Sequence, residues 1–169
     1  MNLKNFEFKA AVKDPGNLEK KLLELNPIYI GEDQQTDTYF KVPEGRLKLR
    51  EGNIENSLIF YNRDNIAGAR SSEIILYKYS GDRSLKDILL KTMEVLVIVD
   101  KTRKIYFIGN VKFHFDSVKN LGSFIEVEAI DEEGNTGIEK LKEQCAWYFN
   151  FFGLEPSDYV SRSYSDLLI

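Results

Sequence analysis

The run Gly45-Arg46-Leu47-Lys48-Leu49-Arg50-Glu51 alternates cation and leucine without a break from Arg46 to Arg50. Successive side chains of a strand leave opposite faces, so Arg46, Lys48 and Arg50 share one face and Leu47 and Leu49 the other. A solvated sheet face ordinarily mixes signs, because opposite charges across strands attract and like charges repel by roughly 0.2 to 1 kcal/mol. A wholly basic column therefore needs its countercharge from elsewhere.

Similar columns recur along the chain. Glu126 and Glu128 share a face with Phe124 and Ile130, against Ile125, Val127 and Ala129. Lys101 and Arg103 repeat the basic spacing, Glu7 and Lys9 alternate with Phe6, Phe8 and Ala10, and Lys112, His114 and Asp116 form another polar column. Taken singly, each column is also how a solvated strand face reads. Together they fit a sheet curled into a barrel, polar inside, with its apolar exterior covered by helices. Cations so crowded need a polyanion, and carboxylates beside that anion need a metal ion. A triphosphate held with Mg²⁺ or Mn²⁺ meets both requirements: Arg forks grip phosphate oxygens, Lys adds point charge, and carboxylates bind the metal.

The rest of the sequence supplies the elements. Period-two alternation predicts strands over 6–12, 38–42, 46–50, 58–63, 73–79, 94–100, 103–108, 111–116 and 124–130. Pro43-Glu44-Gly45 and Gly109-Asn110 read as hairpin turns. Asp14-Pro15 opens a helix carrying Leu18, Leu22 and Leu25. Ser84 with Asp87, and Thr136 with Glu139, have the spacing of capping boxes for two more. The last of these would bury Ile138, Leu141, Cys145, Tyr148, Phe149 and Phe152, with Gly153 closing it, and residues 161–169 would dock as a final helical turn. The fold class is α+β: an antiparallel β-tunnel or barrel with a polar lumen, flanked by about three helices, in one domain over 1–169.

Composition narrows the partners. The 169 residues are 43% hydrophobic, enough for a core without staples. A net charge of -4, from 23 basic and 27 acidic residues, gives no global attraction to nucleic acid or anionic lipid. One cysteine, Cys145, excludes an internal disulfide and fits a reducing compartment. The N-terminus has no apolar signal region and no stretch has membrane-spanning length, so the expectation is a cytoplasmic protein with no membrane partner.

Specific residues also resemble a known family. Asn5-Phe6-Glu7-Phe8-Lys9 resembles the ExExK opening of the CYTH superfamily, the triphosphate tunnel metalloenzymes. The segments 35–40 and 45–51, Asp100-Lys101-Thr102-Arg103, Phe115-Asp116, Leu121 to Glu128 and Arg162-Ser163-Tyr164 are similar to the class IV adenylyl cyclase branch. The resemblance runs in order from Phe6 to Leu168 and implies an eight-stranded tunnel, commonly a homodimer, that acts on ATP or another triphosphate with Mg²⁺ or Mn²⁺. It implies a metal or acid site at Glu7, Asp116 and Glu126, with Glu128 beside them, and phosphate contacts from Lys9, Arg50, Arg63, Lys101 and Arg103, with Arg46 and Lys48 alongside. Lys9, Arg103 and Asp116 are the expected catalytic residues. Conversion of ATP to cyclic AMP and pyrophosphate is the first activity implied, and hydrolysis of tripolyphosphate, thiamine triphosphate or a nucleoside triphosphate the second. Asn5 stands where the motif has its first Glu and brings an oxygen but no charge, which leaves a non-catalytic polyphosphate-binding module as a third.

Four further positions are read plainly. His114 is a lone strand histidine, structural or at the surface. Cys145 and Trp147, on an aromatic-rich helix, are read as core. Asp64 is a candidate support for Arg63, and Gly68 to Arg70 a loop over one tunnel mouth, since no P-loop pattern occurs.

Overall fold

The computed structural model describes residues 1–63 and 68–169, so Asp64 lies outside the described residues. Eight antiparallel strands close into a barrel in the order β1-β5-β4-β3-β2-β6-β7-β8. They are β1 (Asn2–Ala11), β2 (Ile28–Phe40), β3 (Arg46–Glu51), β4 (Ser57–Asn62), β5 (Arg70–Lys78), β6 (Val95–Ile108), β7 (Val111–Val118) and β8 (Gly122–Asp131). The helices are α1 (Pro15–Leu23), α2 (Ser84–Thr92), α3 (Ile138–Phe151) and the short α4 (Tyr164–Leu168).

Most strands run longer than the alternation predicts, β2 and β6 by the most. Residues 94–100 and 103–108 form one strand, β6, because β2 runs back to Ile28 and pairs with it from Phe107 to Val95. The nine predicted segments thus become eight strands. Arg70 is the first residue of β5, paired with Glu7, and not part of a loop.

The expected helix positions hold, but two caps differ. Asp14 caps α1 by accepting from the Asn17 amide at 3.2 Å. Ser84 is already helical; the Asp82 carboxylate accepts from its amide at 2.9 Å, so the Ser84–Asp87 box does not form. Ahead of α3, Asp131 gathers the amides of Gly134, Asn135 and Gly137, displacing Thr136 from the capping role.

The helices cover only part of the barrel. Phe6 and Phe8 of β1, Phe113 of β7 and Ile125 and Val127 of β8 point outward and meet Leu18 and Leu22 of α1 and Leu141, Cys145 and Phe152 of α3. Fully burying each such side chain stabilises the fold by about 1.5 to 3 kcal/mol. Leu85 and Leu89 of α2 cover Phe40, Leu47, Leu49 and Leu58. Elsewhere the outer wall is bare: Ile75, Tyr77, Leu96 and Ile98 are exposed. Trp147 is 54% exposed and stacks on Phe151 outside the core, and Ile138 is also exposed, contrary to the helix pattern. Among the described residues, no helix is long and apolar enough to cross a membrane.

Candidate functional site: a charged lumen

The β-pleat sends the alternate set of each strand inward. Lys9, Lys48, Arg50, Arg63, Lys101 and Arg103 line one cavity of about 440 Å³, together with Glu7, Glu126 and Glu128. The size lies within the usual range of small-molecule sites, about 300 to 1,000 Å³. Glu55, Lys112 and His114 line it too.

Two buried carboxylates organise the cations. The Arg50 fork donates from Nε and Nη2 to the two oxygens of Asp37 at 2.9 Å each, and Lys101 Nζ and Lys48 Nζ stand 2.7 and 3.2 Å from Asp37 Oδ2. Burial alone would raise the Asp37 carboxyl, but Arg50, Lys101 and Lys48 outweigh it and hold it well below the usual range. Arg103 grips Asp116 the same way, at 2.7 Å through both Nε and Nη2, and Tyr164 of α4 donates its hydroxyl to Asp116 Oδ2 at 2.7 Å. The Tyr164 ring also lies under Lys9 Nζ, 4.0 Å from its centroid.

Asp116, expected at the metal or acid site, is therefore engaged on both oxygens and orients Arg103. Arg46 projects toward α4, with Nη2 at 2.6 Å from Asp166, and is not part of the cavity lining. Arg63 donates to Glu7, and Arg70 packs beside the same carboxylate.

The acidic side of the lumen follows from register. Glu7 lies directly opposite Glu128, Lys9 opposite Glu126, and Glu126 in turn opposite His114. Like charges directly opposite repel. Burial first, then Glu126 and Glu7, push the Glu128 carboxyl up to about 8. Burial raises Glu126 as well, but Lys9, His114 and Arg103 reverse that and keep it well below its ordinary value. Burial, with Arg103 and Lys112 nearby, lowers His114 to about 3 against the pull of Glu126, so its imidazole is neutral. Burial lowers Lys9 to about 8, Glu126 opposing and Arg63 assisting.

A divalent metal fits this corner. His114, Glu126 and Glu128 each offer a ligand atom within 4.8 Å of the others. Asn5 Oδ1, on the same β1 face as Glu7, is buried without a hydrogen-bond partner, and so are both ring nitrogens of His114. Buried polar atoms are nearly always satisfied, and a cation among these carboxylates would satisfy them here.

The family model described as CYTH domain matches residues 3–164. The chain belongs to the CYTH domain family. Among solved structures, this CYTH chain is similar to the PH1012 protein of Pyrococcus horikoshii OT3, at 22% identity and a TM-score of 0.79, over 96% of this chain and 98% of that one. It is similar to a candidate adenylate cyclase from Vibrio parahaemolyticus at 20% identity, TM-score 0.80, over 97% of each chain. HpAC1 from Hippeastrum, a candidate adenylyl cyclase with a dominant triphosphatase activity, aligns at 12% identity with a TM-score of 0.62, covering 99% of this chain and 94% of the other. No curated protein sequence matches significantly.

Several residues of this CYTH lumen escape sequence reasoning. Asp37 is invisible as part of a column when the strand is begun at Thr38; extended to Ile28, β2 shows Asp33, Gln35 and Asp37 on one face. Glu55 sits in the β3–β4 loop, where periodicity has no meaning, and reaches Lys112 at 2.5 Å and Arg50 at 3.3 Å. Its loop is shaped by Asp33, which accepts from the Ile54 and Glu55 amides at 2.9 Å each. His114 reads in the sequence as a lone histidine, yet it lies opposite Glu126 on β8.

Proposed function

We propose that the lumen binds a nucleoside triphosphate with a divalent metal and turns it over, with cyclisation of ATP to cyclic AMP and pyrophosphate as the first activity. The observation that carries this reading is the convergence of Lys9, Arg63 and Arg103 with Lys48, Arg50 and Lys101 on one cavity that also holds Glu7, Glu126 and Glu128. The cations would hold the phosphate oxygens, Arg50 and Arg103 as forks already oriented by Asp37 and Asp116, so little reorganisation accompanies charge development on the leaving pyrophosphate. Glu126 and Glu128, with Glu7 facing them, would hold the metal. When bound, the metal would supply Lewis-acid charge to a phosphoryl oxygen. Lys112 and Glu55, paired at 2.5 Å, line the same cavity.

A nucleotide is favoured over inorganic tripolyphosphate by the wall beside the cations. Tyr39, Ile59, Tyr61, Ile74 and Leu76 line the same cavity, an apolar and aromatic surface suited to a base. Hydrolysis to orthophosphate is the second reading, because the same cradle would serve it.

Incubation with ATP, tripolyphosphate and thiamine triphosphate, each with Mg²⁺ or Mn²⁺, distinguishes these by product. Cyclic AMP supports cyclisation, orthophosphate supports hydrolysis, and tight binding with no product leaves a binding module. Arg50→Ala and Glu126→Ala should each lower turnover at least about a hundredfold if they hold phosphate and metal; wild-type rates in either variant would remove that residue from the mechanism.

A further inference from the structure

We propose that His114 is a direct nitrogen ligand of the lumen metal, so that the site takes a first-row transition ion such as Co²⁺ or Mn²⁺ in preference to Mg²⁺. The inference rests on the metal-dependent reading above and goes beyond it by naming the ligand and the selectivity it imposes.

Three observations converge. First, the strand pairing fixes the arrangement: His114 lies opposite Glu126 in the β7–β8 register, and Glu128 is two residues along the same β8 face. Second, His114 is 1% exposed, and among the described residues neither ring nitrogen makes a well-aligned hydrogen bond, although Glu126 faces it across the strand pair. Leaving a buried polar group unsatisfied is strongly disfavoured, and the lone pair of a neutral imidazole nitrogen, which meets no donor among the described residues, would be satisfied by a cation. Third, His114 Nδ1 stands 3.8 Å from Glu128 Oε1, too long for a hydrogen bond. That gap suits a cation between the two, since metal bonds to imidazole nitrogen and carboxylate oxygen are each about 2 Å.

The donor set decides the ion. Mg²⁺ takes oxygen ligands and retains its waters, whereas first-row transition ions accept an imidazole nitrogen, with affinity rising from Mn²⁺ through Co²⁺. Asn5 in place of a carboxylate points the same way, because it removes hard anionic charge while the nitrogen donor stays.

The test is made on the whole chain, without nucleotide, so that it reads the ligand independently of turnover. Mn²⁺ is bound to the apo protein, its affinity measured by equilibrium dialysis, and pulsed electron paramagnetic resonance used to detect coupling to a directly bound ¹⁴N. The expected result is a nitrogen coupling in the wild-type protein that is lost in His114→Gln, with Mn²⁺ affinity reduced at least about tenfold and Mg²⁺ affinity much less changed. Labelling the single histidine with ¹⁵N should alter the coupling and confirms its origin even if His114→Gln fails to fold. Mn²⁺ bound to the lumen without nitrogen coupling would overturn the inference and leave the triphosphate reading standing. Absence of any metal binding, with or without tripolyphosphate, would remove both.

Discussion

Asp37 holds Arg50, Lys101 and Lys48 within 3.2 Å while fully buried, so its charge is what permits three cations to share one wall. Removing one partner of a buried ion network typically costs about 3 to 5 kcal/mol, because the remaining charges stay desolvated. Asp37→Asn is therefore expected to lose stability of about that size in urea unfolding; a loss under about 1 kcal/mol would show that the cations rearrange into water. The same carboxyl predicts an acid limit. Its folded pKa lies well below 3.8, so the unfolded chain takes up the proton first. Its contribution is therefore complete above the unfolded value and is lost as pH falls through the folded one. Denaturation midpoints measured from pH 5 downward should fall in the wild type, with the part due to Asp37 missing in Asp37→Asn. Cys145 gives a residue-scale prediction of the opposite kind. Burial raises its thiol to about 12, and Sγ lies 3.1 Å from the Phe6 carbonyl, so a thiol reagent should label it only after unfolding.

At the scale of elements, the β3–β4 loop puts an acidic group inside a basic tunnel, and Gly52 is what lets it close. A Cβ at Gly52 would come within 2.6 Å of Asp33 Oδ1 and 2.8 Å of the Glu55 carbonyl oxygen. Gly52→Ala should therefore push the loop outward, withdraw Glu55 from Lys112 and Arg50, and lower stability by roughly 1 to 3 kcal/mol. A melting curve and the affinity for tripolyphosphate would both report it; an unchanged melting temperature would mean that the loop has room to shift. The short α4 has a comparable placing role, since its Tyr164 connects Asp116, Lys9 and Lys101.

For the whole molecule, the net charge of -4 hides a lumen rich in cations, and a ligand that binds only the folded barrel stabilises it by mass action. ATP or tripolyphosphate with Mn²⁺ at about a hundred times its dissociation constant should add about 2.7 kcal/mol, read as a rise in melting temperature that falls with added salt. No shift with any triphosphate would contradict the proposed binding. The sequence by itself determined the strands and their two faces, because a period of two is local: Arg46 to Arg50 and Phe124 to Ile130 show their faces within a few residues. It also carried the resemblance that counts eight strands, and most of the cations that line the cavity. Only the tertiary structure decided which carboxylates hold those cations and which gather around His114. Asp116 and Glu126 read alike as alternating acids, yet one is locked to Arg103 and Tyr164 while the other faces His114 and Glu128. That distinction depends on register between strands and on where a loop and a terminal helix enter the bore, contacts between residues far apart in the chain that no local period encodes.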